Sequence, residues 1–255
     1  FGYHPEPDKS WCVCPLATQE AAQEAFATVA PKLNYCRGKR YVGGFVGSEA
    51  MLVRWLEPKV KEWVAGVGTL AKIAERYPQT AYFGFTHSLQ AEWQYVCRCV
   101  PGVAEHLKPV EEAISSKLIP ALLGLEEDKL TRDLRRLLAC AVKSGGLNLR
   151  QPEEGAERLH QASKEACGVL VSSLREHSRL DLVEHKMCVR GAGAKARKER
   201  VEEELEVVKE LTGVVPKPAK KRLARNGETG AWLPVQPNKL DGTILSCKKW
   251  RDKAR

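Results

Sequence analysis

No apolar run in this chain is long enough to cross a bilayer, and no basic-then-apolar leader precedes a cleavage site. The expectation is an intracellular protein of nucleus or cytoplasm, not secreted and not bound to membrane. Asp is scarce: positions 8, 128, 133, 181, 241 and 252 stand apart, so no adjacent pair is offered to a two-metal site. The Glu runs at 126–127, 153–154 and 202–204 lie in polar helical contexts and read as solvated faces. Zinc spacing is missing too. Cys12 and Cys14, and Cys97 and Cys99, are separated by one residue where paired zinc ligands usually have two between them. The nine Cys therefore read as reduced thiols, mostly buried. The six His show no paired spacing and read as packing or surface residues. There is no Gly-x-Ser-x-Gly, no phosphate loop ending in Gly-Lys-Ser/Thr, and no internal repeat. No complete catalytic constellation is visible.

Positive charge is what the chain has. Its 255 residues are 43% hydrophobic and 29% charged, with a net charge of +9 and a pI near 9.1. That balance suits a folded protein with a polyanionic partner. Aromatics are few, at 7%, yet six are Trp. Several basic residues adjoin rings: Lys9 by Trp11; Arg37, Lys39 and Arg40 before Tyr41; Arg98 after Trp93 and Tyr95. Charge beside rings suits a nucleic-acid backbone, and equally suits surface charges beside core aromatics. We read the chain, which begins with Phe1, as a piece of a longer protein.

The stretch from Arg37 to Ser48 divides the chain. Tyr41, Val42, Phe45 and Val46 favour extended backbone, and Gly43 and Gly44 interrupt them as at a tight turn. The alternative is a structural turn with no ligand. Before the stretch, residues 9–14 and 33–35 read as short strands around a helix at 18–30. After it, apolar stripes at helical spacing cover 49–77, 81–99, 101–118, 128–140 and 154–174. Pro58 either breaks or restarts the first of these. In the helix at 128–140, Arg132, Arg135 and Arg136 are expected outward. Leu147 and Leu149 alternate as in a strand. Residues 187–213 form a charged helix with a thin seam of Val201, Leu205, Val208 and Leu211, and 215–225 a basic linker. The fold class is α+β and mostly α: short strands and a glycine hairpin, then a helical bundle and a charged arm. The segments are 1–48, 49–142, 143–185, 186–228 and 229–255.

The order of segments resembles the carboxy-terminal part of reverse transcriptases from non-LTR (LINE-like) retrotransposons. Gly2-Tyr3-x-Pro-x-Pro-x-Lys9-Ser10-Trp11 is similar to the palm segment that follows the catalytic aspartates. Gly38-x-Arg40-Tyr41-Val42-Gly43-x-x-x-Gly47 resembles the primer-grip hairpin, with Val42 for the usual Leu. Helices from Glu49 to Leu138 would be the thumb, followed by Ser144-Gly-Gly-Leu-Asn-Leu149, in which Asn148 interrupts a glycine motif. Gly230-Ala-Trp-Leu-Pro-Val, Leu240-Asp-Gly-Thr and Trp250-Arg-Asp resemble the tail beyond.

The resemblance implies an RNA-directed DNA polymerase as parent, with an RNA template and a DNA primer as partners. It implies contacts from Lys9, Lys39, Arg40, Tyr41, Gly43, Gly44 and Gly47, the glycines letting the primer strand come close. Lys9 would be the cation on the triphosphate side. Magnesium is implied for the parent and no cofactor for this piece, whose Tyr-x-Asp-Asp strand, remaining palm and fingers would precede Phe1. Alone, the piece is expected to be inactive. The alternative function is a non-catalytic helical module pairing through its charged arm.

Overall fold

The computed structural model describes residues 6–126, 129–214, 230, 233 and 235–254. The fold is α+β and mostly helical, with short strands near the N-terminus. It has two compact units, Phe1–Lys61 and Glu62–Arg255. The boundary lies inside a helix instead of at residue 48.

In the first unit, β1 (Trp11–Val13) pairs in parallel with β2 (Asn34–Cys36), so a crossover is required. Helix α1 (Gln19–Phe26) supplies it and ends four residues before the expected stop. Thr18 does not cap it; its hydroxyl donates to Pro15 O instead. Strands β3 (Gly38–Tyr41) and β4 (Gly44–Gly47) form an antiparallel hairpin. Helix α2 (Glu49–Arg76) follows and runs unbroken through Pro58. The proline removes one backbone donor, but it lies on the exposed side, where water can serve the freed carbonyl.

The second unit packs helices around aromatic and aliphatic side chains. Trp63 of α2 meets Trp93 edge-on at 6.1 Å, and Phe85 lies 5.8 Å from Trp93. Helices α3 (Pro78–Gly84) and α4 (Gln90–Cys99) are joined by a π turn, Phe85–Leu89. A second π turn, Ile114–Leu118, joins α5 (Lys108–Ala113) to α6 (Ile119–Leu123). Gly124, left-handed at φ +60°, stops α6. Helix α7 (Arg132–Ala139) is capped by Thr131, whose hydroxyl accepts from Leu134 N; the expected start at 128 lies outside the described residues.

Arg135 of α7 is buried, contrary to the outward expectation. Its guanidinium makes a bidentate pair with Glu111 of α5 at 2.6 and 2.7 Å, and also donates to Leu149 O at 2.7 Å. Residues 147–149 form a loop, not a strand, with Asn148 left-handed at φ +54°; Tyr82 also holds it by donating to Leu147 O. The helix expected at 154–174 is two, α8 (Ala156–Ala166) and α9 (Gly168–Arg175). Helix α10 (Leu182–Val214) opens at Asp181, whose carboxylate accepts from Val183 N and Glu184 N.

Far from standing free, α10 is tied to the bundle by Lys195–Glu165, Arg158–Glu203 and Arg136–Glu210 pairs. In its seam Leu211 is buried, Val201 and Val208 are half-buried, and Leu205 is exposed. The basic linker at 215–225 lies outside the described residues. The last helix, α11 (Cys247–Ala254), is built into the bundle. Trp250 is fully buried against Tyr82 at 5.7 Å. Arg251 donates to Ala121 O, Leu122 O, Ala74 O and Glu75 O, carbonyls near the ends of α6 and α2. Gln79 clamps the approach, donating to Thr243 O and accepting from Leu245 N. Among the described residues no helix is long and apolar enough to cross a membrane.

Removing one member of the buried Arg135–Glu111 pair strands the other. Arg135→Met is expected to cost about 3–5 kcal/mol, and the double variant Arg135→Met/Glu111→Leu clearly less, as read from urea unfolding. Burial raises the thiols of Cys97 and Cys140 to about 11. The unfolded chain ionises these groups first, so stability falls as pH rises from the ordinary thiol range toward 11. Urea midpoints across that window are expected to decline, and Cys97→Ala to flatten the slope.

Candidate nucleic-acid interface

The hairpin is closed by Tyr41 opposite Gly44, leaving Val42 and Gly43 as a two-residue turn. Their φ angles are +46° and +79°. Two positive values make the mirror-image turn that matches the twist of paired strands. Gly43 adopts its angle freely. Val42 does not: a β-branched residue there is strained by about 1–2 kcal/mol. Val42 is also 74% exposed, so it presents that strained backbone at the tip.

At the open end Gly38 faces Gly47. Gly47 has φ +146°, and a Cβ on it would strike Gly38 Cα and come within 2.5 Å of Arg37 O. A Cβ on Gly38 would lie 2.5 Å from Phe45 Cζ and 2.8 Å from Met51 Cβ. The close approach expected of these glycines is thus made within the protein; Gly47 needs no ligand to explain it. Gly44 is buried beside Tyr41.

Strand alternation then sorts the side chains into two faces. Arg40 and Phe45 share the first; Phe45 is buried and stacks on Trp55 at 5.4 Å. Lys39, Tyr41 and Val46 share the second, which looks outward: Tyr41 is 72% and Val46 53% exposed. Lys39 Nζ sits 3.5 Å from the ring centroid of Trp11 on β1. A cation over a ring is attracted by about 0.5–2 kcal/mol, so Lys39 is held in place, not swinging free.

The residues expected from sequence are therefore only partly gathered. Lys39 and Tyr41 lie on the outward face, Arg40 is exposed on the other side of the strand, and Gly43 shapes the tip. Lys9 is on a 3-10 turn, Pro7–Lys9, paired with Glu6 through exposed side chains. The palm-like Gly2-Tyr3 motif lies outside the described residues. In sequence Trp11 is only a neighbour of Lys9; its contact with Lys39 arises because β2 and β3 lie close in sequence while β1 is brought in by pairing. The magnesium implied for a polymerase has no ligand set here: among the described residues no group of three or more His, Cys, Asp or Glu could hold a metal ion. Nearby, burial and then Cys12 push the Cys14 thiol up.

No protein-family model matches the chain, and no curated protein or solved structure matches it.

If the turn is strained as described, Val42→Asn stabilises the first unit by about 1 kcal/mol, because Asn tolerates positive φ. Gly47→Ala is expected to cost about 3 kcal/mol through strain and collision. Urea unfolding followed by Trp fluorescence reads both signs.

Proposed function

We propose that the chain is the palm end, primer grip and thumb of a non-LTR retrotransposon reverse transcriptase, and that it binds an RNA template paired to a DNA primer. The observation that carries this reading is the outward face of the hairpin, where Lys39 is fixed over Trp11 beside an exposed Tyr41 and a rigid Val42–Gly43 tip. A cation held near rings on a stiff turn suits a sugar-phosphate strand: the charge meets phosphate, and Tyr41 meets a sugar or base. Arg40, exposed along the same strand, adds charge. The helices after the hairpin, beginning with α2, fit the order palm, grip, thumb. With no Tyr-x-Asp-Asp among its 255 residues, the chain alone binds without polymerising.

Pairing with another protein through the arm is less well supported. Of Val201, Leu205, Val208 and Leu211 only Leu205 is exposed, and Lys195, Glu203 and Glu210 of the arm are engaged with α7 and α8.

Filter binding of a primed RNA–DNA duplex across a salt series tests the proposal. Affinity is expected to fall steeply with salt, the log–log slope losing close to one unit for each neutralised phosphate. Lys39→Ala and Arg40→Ala should each shallow that slope, and Tyr41→Ala should weaken binding about tenfold or more. Absent binding, a salt-insensitive signal, or polymerisation by the chain alone contradicts it.

A further inference from the structure

The second unit contains a cleft of about 690 Å³ walled by α4, α7, α8, α10 and the loop at 150–155. A volume of that order suits a small molecule. Its lining is unusual in charge chemistry. Six of the lining residues are arginines, 132, 136, 150, 158, 197 and 200, and none is lysine. Arginine presents a planar fork of donors that matches phosphate oxygens in pairs.

Carboxylates occupy part of this set. Glu210 pairs with Arg136 at 2.8 Å, Glu203 pairs with Arg158, and Glu204 lies 3.3 Å from Arg200 Nε. Arg200 and Glu204 are not aligned, however, and the buried Arg200 Nε has no hydrogen-bond acceptor. Glu204 instead accepts from Ser144 at 2.8 Å. Three guanidiniums have no carboxylate within ion-pair distance among the described residues: Arg132, Arg150 and Arg197. Arg197 Nε reaches only Gly193 O, and Arg150 Nε only the amide oxygen of Asn148.

Arg150 is the focus. It is half-buried, and its backbone N–H is fixed on Gln90 Oε1 at 2.9 Å. Burial, and then the Arg200 guanidinium, pull Arg150 below the usual arginine range, with Arg158 adding further repulsion. Glu204, beside Arg200, offsets part of that repulsion, and an anion touching the guanidinium of Arg150 would offset more of it. Asp133 and Glu154, the remaining acids of the lining, are exposed and make no ion pair among the described residues.

We infer that this cleft is a binding site for a small phosphorylated molecule carrying two or more phosphoryl groups, seated on Arg150, Arg197 and Arg200. Leu159 and Val207, both half-buried, give the cleft an apolar side against which a base or other apolar moiety would rest. The site is separate from the hairpin and does not depend on the polymerase reading.

Titration calorimetry of the full chain with inorganic tripolyphosphate, at constant ionic strength, tests it. One saturable site is expected. Arg150→Gln should weaken binding at least tenfold; Arg197→Gln, which alters only an exposed side chain, should weaken it severalfold with unchanged thermal unfolding. Lys72→Gln, an exposed change on α2, should leave it unaltered. Running ATP in parallel identifies the source: tighter binding than tripolyphosphate supports a nucleotide, and equal binding supports the phosphoryl chain as the determinant. No saturable binding at millimolar tripolyphosphate overturns the inference. So does an equal loss from Lys72→Gln and Arg150→Gln, which marks diffuse charge attraction, or binding that only a nucleic-acid strand achieves.

Discussion

The contact of Gly38 with Gly47 is the constraint from which the hairpin follows. Two backbones lie so close that neither residue can carry a Cβ without moving Arg37, Phe45 or the start of α2. Because they are that close, β4 runs directly into the helix, with Ser48 N donating to Arg37 O at 2.8 Å. The register is then fixed, and in a strand register decides which face each side chain takes. Phe45 goes inward onto Trp55; Lys39, Tyr41 and Val46 go outward. A slip of one residue would bury the cation and expose the ring. The proposed interface is a consequence of glycine packing inside the protein, instead of glycines held open for a ligand.

The helical unit is ordered by polar groups placed where helices end. Arg135 joins α5 to α7 and fixes the loop at 147–149; Arg251 gathers carbonyls of α6 and α2; Gln79 holds the segment entering α11. Each takes up backbone or charged groups that would otherwise be buried without partners. The two π turns, at Phe85–Leu89 and Ile114–Leu118, each add a residue to the helical winding, and Phe85, Ile114 and Leu118 all lie in the core.

Much of this architecture was legible in the sequence because helical stripes and turn residues act locally. The glycine turn, the helical character of 49–76 and the mostly α class follow from periodicity and from Gly and Pro placement. What was not legible depends on partners distant in the chain. Arg135 sits among other arginines on α7 and reads as solvated until Glu111, 24 residues earlier, is brought against it. Leu147 and Leu149 alternate as a strand does, yet pair with no strand among the described residues, and both backbone N–H groups donate to Leu138 O of α7 instead. Pro58 reads as a break or a restart because sequence does not reveal that it lies on the exposed side of α2. Trp11 and Lys39 lie 28 positions apart, and no spacing rule joins them.

Photocrosslinking tests the central claim most directly. A benzophenone side chain placed at Val42, on the exposed tip, is irradiated in the presence of a primed RNA–DNA duplex labelled at the primer 3′ end. The account predicts an adduct that maps to the last few primer nucleotides and disappears on Lys39→Ala. An adduct spread evenly along the duplex, or no adduct while the same group at an exposed position on α10 gives one, would contradict it.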